Sequence, residues 1–168
     1  MVEKRSPIQP LSLSQIEEVS DMASTTIKSA EDILGFEYDW VACDEAGHVA
    51  LFSTAGGGYA PARFLQDTEA HAAAIHAILA GPDTTTARFA PVLAPDLENT
   101  WKSAAEHGLF AFDCDPNGGP YRLIAAPVVA ISVADLPRSA VDAVSGIKLR
   151  LRFSDQTTVT EAVLRDQA

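Results

Sequence analysis

The stretch YDWVACDEAGHVALFSTAGGGY, residues 38–59, limits the possible fold more than any other part of the sequence. Its first arm, 38–43, is rich in aromatic and β-branched residues, and its second arm, 48–54, is almost wholly apolar, so both are typical of strands. The residues between the arms end in Gly47, which supplies the positive φ of a common hairpin loop. The stretch therefore predicts a β-hairpin. Because apolar side chains fall on both faces of the pleat, we expect a central hairpin.

Apolar residues recur at intervals of three and four in several other segments, as is typical of helices that pack one face on a core. Capping residues mark where these segments begin, and glycines mark where they end. Residues 1–10 are polar and contain two prolines, so we expect a loose terminus. Four helices are predicted. The first begins at Ser12, has an apolar stripe that reaches Leu34, and stops at Gly35, and the second begins at Asp67 or Thr68 and ends near Leu79. The third opens at Pro95-Asp96 and is stopped by Gly108, and the fourth is capped by Asp135 and ended by Gly146.

Further strand signals lie in the second half of the chain. Strands are predicted over 109–113, over 121–133 in two pieces, and over 147–153 with a closing hairpin to 157–164. Pro127 divides the second of these because it has no amide hydrogen for a ladder. Helices mixed with mostly hairpin-linked strands predict α+β, a single domain over residues 1–168 with a mostly antiparallel sheet and helices packed against it.

The composition fits one folded domain. The chain has 168 residues, 47% of them hydrophobic and 21% charged, which is enough to bury a core without disulfides or metals. It contains no apolar run of membrane-spanning length and no signal-peptide apolar region, so we expect a soluble, cytoplasmic protein. In that compartment Cys43 and Cys114 are expected to be free thiols.

The net charge is −11, and the acidic excess is concentrated in residues 1–115, which hold 18 acidic and 6 basic side chains. Binding to nucleic acid depends on Lys and Arg neutralising phosphates, so nucleic acid is excluded as an expected partner. A surface of this sign suits a basic protein partner, because charge complementarity steers encounter.

No signature for nucleotide or metal binding is complete. The loop 55–59 follows a strand, but Tyr-Ala-Pro stands where a P-loop has Lys and Ser or Thr. Residues 113–118 offer Asp and Asn oxygens before a glycine, yet Ile124 occupies the position of the Glu in a calcium loop. The cysteines and histidines have no zinc-site spacing, and of His71 and His76 we expect one packed and one at the surface. No cofactor is expected.

The sequence also lacks a motif that would mark a Ser or a Cys as a catalytic nucleophile. Carboxylates at the expected strand ends are candidates for acid–base chemistry or for an acidic binding face. These candidates are Asp39, Asp44, Glu45, Asp113 and Asp115. Solvated turn charges are the alternative interpretation.

Two segments carry a resemblance to a known class of proteins. They are Phe36–Pro61, FEYDWVACDEAGHVALFSTAGGGYAP, and 110–137, FAFDCDPNGGPYRLIAAPVVAISVADLP, which together cover about a third of the chain. Their layout, a Trp-bearing strand, a glycine turn, an apolar strand and a Gly-rich loop, resembles small acidic bacterial immunity proteins that neutralise cognate toxins. The resemblance implies a binding protein whose acidic residues face a basic toxin surface.

The leading hypothesis is therefore a non-enzymatic partner-binding protein of the immunity type. The expected partner-binding residues are Asp39, Asp44, Glu45, Gly56, Gly57, Gly58, Tyr59, Asp113 and Asp115. The glycines leave backbone groups open to contact, and Tyr59 is an amphipathic aromatic of the kind found at binding hot spots. The competing interpretation is that Tyr59 is a core residue and that the glycines only allow the chain to cross closely beside the hairpin. A small hydrolase or transferase, or a scaffold subunit, remains as the alternative function.

Overall fold

The computed structural model describes residues 27–166, and a mixed β-sheet lies at its centre. The strands are β1 (Asp39–Cys43), β2 (Val49–Ser53), β3 (Ala87–Phe89), β4 (Phe110–Asp113), β5 (Tyr121–Pro127) and β6 (Thr158–Val159). Their order is β1-β2-β4-β5-β3, and β6 also pairs with β5. The α+β class is confirmed. The sheet is mixed rather than mostly antiparallel, because the long connection after β2 brings β4 back parallel to it.

The predicted hairpin is confirmed as the antiparallel pair β1 and β2, with Trp40 opposite Phe52 and Val41 opposite Leu51. Gly47 has the expected positive φ, 84°. Every residue of β2 is buried, since helices cover one face and the C-terminal segment covers the other. The hairpin was expected at the centre of the sheet. Only β2 lies there, because β1 is at one end of the strand order.

Helices pack against both faces of the sheet. The α-helices are α1 (Ala30–Ile33), α2 (Ala62–Gln66), α3 (Thr68–Leu79), α4 (Thr100–Glu106), α5 (Arg138–Ser145) and α6 (Glu161–Arg165), and 3-10 turns span Val133–Asp135 and Phe153–Asp155. Small and branched residues of α3, α4 and α5 pack on one apolar layer of the sheet. An aromatic layer that includes Trp40, Phe52 and Phe112 fills the opposite face. Within residues 27–166, no helix has the length and apolar character to cross a bilayer.

Helix α3 matches its prediction closely. Asp67 accepts a hydrogen bond from the Ala70 amide at 2.9 Å and so caps the helix, which ends at Leu79. His71 is buried and His76 is exposed, as the apolar stripe predicts. The preceding short helix α2 was not predicted, because five residues carry too little periodicity to be recognised.

Only the last part of the first predicted helix falls on the described residues. The predicted helix start at Ser12 and the expected loose terminus fall on residues 1–26, which lie outside the described residues. Within the described part, the expected continuous helix is wrong: Ile27 to Ser29 are not helical, and Ser29 caps α1 by accepting from the Asp32 amide at 3.2 Å. The expected stop is confirmed by the positive φ of Gly35, 83°.

Two other helix starts differ from their predictions because a different side chain supplies the cap. Helix α4 begins at Thr100 rather than at Pro95-Asp96, since Asn99 accepts from the Lys102 amide at 3.0 Å. Helix α5 begins at Arg138, and Asp135 instead accepts from the Ser132 amide at 2.8 Å in the preceding turn.

Two predicted strands are wrong. After Pro127 the chain leaves the sheet with Val128 and Val129 exposed, so residues 128–133 form no second strand and make only an isolated bridge from Ser132 to His48. Residues 147–153 alternate between buried and exposed as predicted, but they form only one bridge, from Lys148 to Cys43. The chain then enters the 3-10 turn Phe153–Asp155, and β6 and α6 occupy the place of the closing hairpin.

Candidate functional site

The main candidate site is a groove between α3 and the first residues of β1, which we call the acidic groove. Its volume is about 500 Å³. Four carboxylates line it, those of Glu37, Asp39, Glu69 and Glu98, and its apolar wall includes Ile75 and Leu79. The groove thus combines negative charge with apolar surface.

Sheet register places a further carboxylate beside this groove. Asp39 on β1 lies opposite Ser53 on β2, and Ser53 lies opposite Asp113 on β4. Adjacent strands are about 4.8 Å apart, so the two aspartates lie about 10 Å apart across one end of the sheet. The Ser53 hydroxyl donates a hydrogen bond to Asp39, and the Asp113 carboxylate accepts from the Cys114 amide at 2.9 Å. The parallel pairing of β2 and β4 therefore brings together two residues that were predicted separately.

Several carboxylates lie close together at this end of the sheet, and their surroundings shift their pKa values. Burial raises the pKa of Asp39, and the nearby Glu37 raises it further, while the Ser53 hydrogen bond opposes both. Burial also raises the pKa of Asp113, with added repulsion from Glu37, Asp39 and Asp115. Among residues 27–166, no salt bridge joins Glu37, Asp39 or Asp113 to a basic side chain. A cation at this position would relieve the repulsion.

The other three predicted acidic residues have partners of their own. The Asp44 side chain is fully buried, and its carboxylate accepts from the backbone amides of Ala46, His48 and Phe153. Glu45 forms an exposed ion pair with Arg152 at 3.0 Å. Asp115 pairs with Arg122 at 2.8 Å. Asp44 is thus a structural residue, and the five predicted carboxylates do not form one surface, because the hairpin turn lies at the opposite end of β1 from Asp39.

The glycine loop makes close backbone contacts. A Cβ on Gly57 would lie 2.2 Å from the Pro116 carbonyl oxygen, and one on Gly58 would lie 2.7 Å from the Tyr121 hydroxyl. Gly56 has a positive φ of 83°, and its carbonyl accepts from the Gly35 amide at 2.8 Å. The glycines therefore hold neighbouring segments at short range. This contact explains the composition of the loop without a ligand.

A second cavity of about 370 Å³ lies beside this loop, and we call it the glycine-loop cavity. Its lining includes Ile33, Leu34, Leu65, Tyr59 and Arg165, together with all three glycines. Tyr59 is half-buried, and the Arg165 guanidinium stacks 4.5 Å from its ring centroid. The Tyr59 carbonyl accepts from the Tyr121 hydroxyl at 2.8 Å. Tyr59 is therefore both a packed residue and part of a cavity wall.

The remaining reactive side chains have structural surroundings. Cys43 and Cys114 are both free and buried, and burial raises the pKa of each thiol, which keeps it protonated. Both ring nitrogens of His107 lie within 2.9 Å of backbone carbonyl oxygens. Within residues 27–166, no group of three or more His, Cys, Asp or Glu side chains is arranged to hold a metal ion.

Comparison with known proteins returned no match to a family model, a curated protein or a solved structure. Sequence reasoning did not identify Glu37, Glu69 and Glu98 as site residues, because they lie on three segments that only the tertiary fold brings together. The acidic excess of residues 1–115 was the one available signal.

Proposed function

We propose that this protein is a non-enzymatic binding protein of the immunity type, which neutralises a cognate toxin in the bacterial cytoplasm by binding a basic surface of it. The observation that supports the proposal is the acidic groove, where the carboxylates of Glu37, Asp39 and the adjacent Asp113 are crowded without a basic partner among the described residues. Charge of one sign on a concave surface attracts an oppositely charged partner and accelerates encounter.

The groove suits the side chain of a lysine or an arginine of such a partner. Ile75 and Leu79 provide apolar surface for the methylene stem, and the carboxylates of Glu37 and Glu69 provide acceptors for the charged end. A basic loop or helix of the partner would place several such side chains along the groove. Partner binding by complementary charge then gives a fast and salt-dependent association rate.

The decisive experiment uses the product of a toxin gene adjacent to the gene for this protein. Co-expression should rescue growth, and the two proteins should co-purify. The double variant Glu37→Gln/Glu69→Gln should slow association by about tenfold at low salt, which corresponds to about 1.4 kcal/mol. The control Asp142→Asn/Asp155→Asn removes the same charge from exposed positions outside the groove lining and should leave the rate within about twofold.

Two results would contradict the proposal. Failure to rescue cells from the neighbouring toxin would remove the immunity function. Equal slowing by the groove variant and the control would show that only net charge matters and that the groove is not the binding site.

The raised pKa values of Asp39 and Asp113 favour one second candidate, a small hydrolase or transferase that uses carboxylates as acid and base. Its test is turnover of a panel of ester, phosphate and glycoside substrates. Activity lost in both Asp39→Asn and Asp113→Asn, with the fold retained, would establish it. Activity that is independent of both residues would eliminate this pair as the catalytic groups.

A further inference from the structure

Thr68 is a buried polar residue in the wall of the acidic groove. It is the first residue of α3, it lines the groove, and it is 3% exposed. Among residues 27–166, its Oγ1 has no hydrogen-bond partner. A buried hydroxyl without a partner costs free energy that a valine of the same shape would not cost. A group that binds in the groove and forms a hydrogen bond with Oγ1 would offset that cost.

The other polar groups of the groove indicate the chemistry of such a group. The carboxylates of Glu37, Asp39 and Glu69 line the groove, and ionised carboxylates only accept hydrogen bonds, so they favour a cationic donor. Glu69 follows Thr68 on α3, whereas Glu37 and Asp39 lie on a separate segment of the chain. A primary ammonium has three N–H donors in diverging directions and suits acceptors from separate segments. A planar guanidinium instead suits one carboxylate in a coplanar pair.

An apolar stripe leads away from Thr68 along α3. Ala72, Ile75 and Leu79 follow Thr68 at spacings of four, seven and eleven residues, so all four lie on one face of the helix. All four line the groove. At about 1.5 Å per residue, this stripe extends over about 16 Å, which is long enough for the methylene stem of a lysine. Thr68 is thus the polar end of a surface that suits an aliphatic chain.

We propose that the acidic groove binds one primary alkylammonium group, the side chain of a lysine of the partner, with its nitrogen at Thr68 and Glu69 and its methylenes along the apolar stripe. Threonine populates two side-chain rotamers in helices, so rotation about the Cα–Cβ bond can direct the Thr68 hydroxyl to the bound nitrogen. The inference rests on the proposed function, because it names the chemical group by which the partner enters the groove.

The test uses n-hexylammonium as the probe and the full-length chain, followed by NMR titration at low salt. Saturable shifts of α3 amides should give the affinity. The probe should bind at least about tenfold more tightly than methylammonium, because its extra methylenes lie on apolar surface. It should also bind more tightly than n-hexylguanidinium, which has the same chain and a planar charged end.

Thr68→Val removes the hydroxyl and keeps the shape of the side chain. It should weaken n-hexylammonium binding about tenfold, the effect of losing one hydrogen bond to a charged group. The urea midpoint should stay the same or rise, because the hydroxyl has no partner to lose among the described residues. Thr100→Val is the matched control, since Thr100 is the first residue of α4 and lies outside the groove lining. It should leave binding within about twofold.

A second pair of variants leaves the core unchanged. Ala72 and Ala73 are both exposed on α3, and of the two Ala72 lines the groove. Ala72→Lys places a competing ammonium in the groove and should weaken n-hexylammonium binding at least about tenfold. Ala73→Lys adds the same charge outside the groove lining and should leave binding within about twofold.

Three results with the probe would overturn the proposal. They are no saturable binding of n-hexylammonium, equal affinity of Thr68→Val and the parent chain, and equal affinity for n-hexylguanidinium. A lower urea midpoint in Thr68→Val would also overturn it, because the hydroxyl would then have a structural role.

Measurements with the cognate toxin separate this inference from the proposed function. Thr68→Val and Ala72→Lys should both weaken toxin binding. Normal toxin binding by both variants would overturn the lysine assignment and leave the proposed function intact. Failure of the parent chain to rescue cells, with n-hexylammonium bound as expected, would remove the immunity function and leave the ammonium site.

Discussion

The Asp44 carboxylate accepts a hydrogen bond of 2.9 Å from the backbone amide of Phe153, 109 residues further along the chain. The same carboxylate accepts from Ala46 and His48 inside the hairpin turn. One buried side chain therefore closes the turn and fixes the C-terminal segment against it. Phe153 in turn packs on the aromatic layer through Phe52 and Phe112. A residue that the sequence suggested as a binding group is thus a structural link.

Asp44→Ala should lower the free energy of unfolding by about 3 kcal/mol, because it leaves backbone amides without an acceptor in a buried site. Glu45→Ala is the matched control, since it removes the adjacent carboxylate from an exposed ion pair and should cost about 1 kcal/mol or less. Urea denaturation of both variants measures the difference. Similar losses in the two variants would contradict the structural role of Asp44.

Stability should fall between pH 6.5 and pH 4 because of His71. Burial lowers the pKa of His71 to about 4 from 6.5, and its Nδ1 accepts from the Val41 amide at 3.2 Å. Below pH 6.5 the unfolded chain binds this proton before the folded chain does, so up to about 3 kcal/mol is lost by pH 4 and little more below it.

The raised pKa values of Asp39 and Asp113 act in the opposite direction, because the folded chain then binds protons more readily than the unfolded chain as the pH falls. The variant His71→Gln isolates the histidine contribution and should flatten the profile between pH 4 and 6.5. Denaturation midpoints measured across this range provide the test. An unchanged profile in His71→Gln would assign the pH dependence to other groups.

Gly57→Ala should destabilise the protein by about 2 kcal/mol, the usual size of an overpacking penalty, because its Cβ would lie 2.2 Å from the Pro116 carbonyl oxygen. Gly81→Ala is a suitable comparison, since the nearest contact there is 3.3 Å, and it should cost much less. Thermal unfolding of the two variants distinguishes these expectations. If Gly57→Ala is as stable as the parent chain, the glycine loop is not held by this contact.

Tyr59→Ala should lower the free energy of unfolding by about 2 kcal/mol, below the 3 kcal/mol or more typical of a fully buried aromatic, because Tyr59 is half-buried. The stacking with Arg165 would be lost, while the Tyr59 carbonyl that accepts from Tyr121 would remain. Denaturation and partner binding should be measured on the same variant. A loss of binding of about 2 kcal/mol without a loss of stability would instead mark Tyr59 as a hot spot.

Features encoded by neighbouring residues were predictable from the sequence. The hairpin follows from two apolar arms around Gly47, and helix α3 follows from the Asp67 cap and an apolar stripe of period 3.6. The packed His71 and the exposed His76 follow from the same stripe. Each of these features depends on local backbone preferences and on the pattern of apolar side chains. Short stretches of sequence are enough to specify both.

The features that could not be predicted depend on pairing between segments that are distant in the sequence. Residues 147–153 have a strand-like alternation, but the Phe153 amide is taken by Asp44 and the segment forms a single bridge to β1. Asp39 and Asp113 approach each other only because β4 pairs in parallel with β2. The carboxylates of the acidic groove come from separate segments in the same way. The hairpin, the helix periodicity and the acidic excess thus follow from the amino-acid sequence. Which carboxylates meet depends on the tertiary fold, because strand order is set by contacts between distant segments that no local pattern encodes.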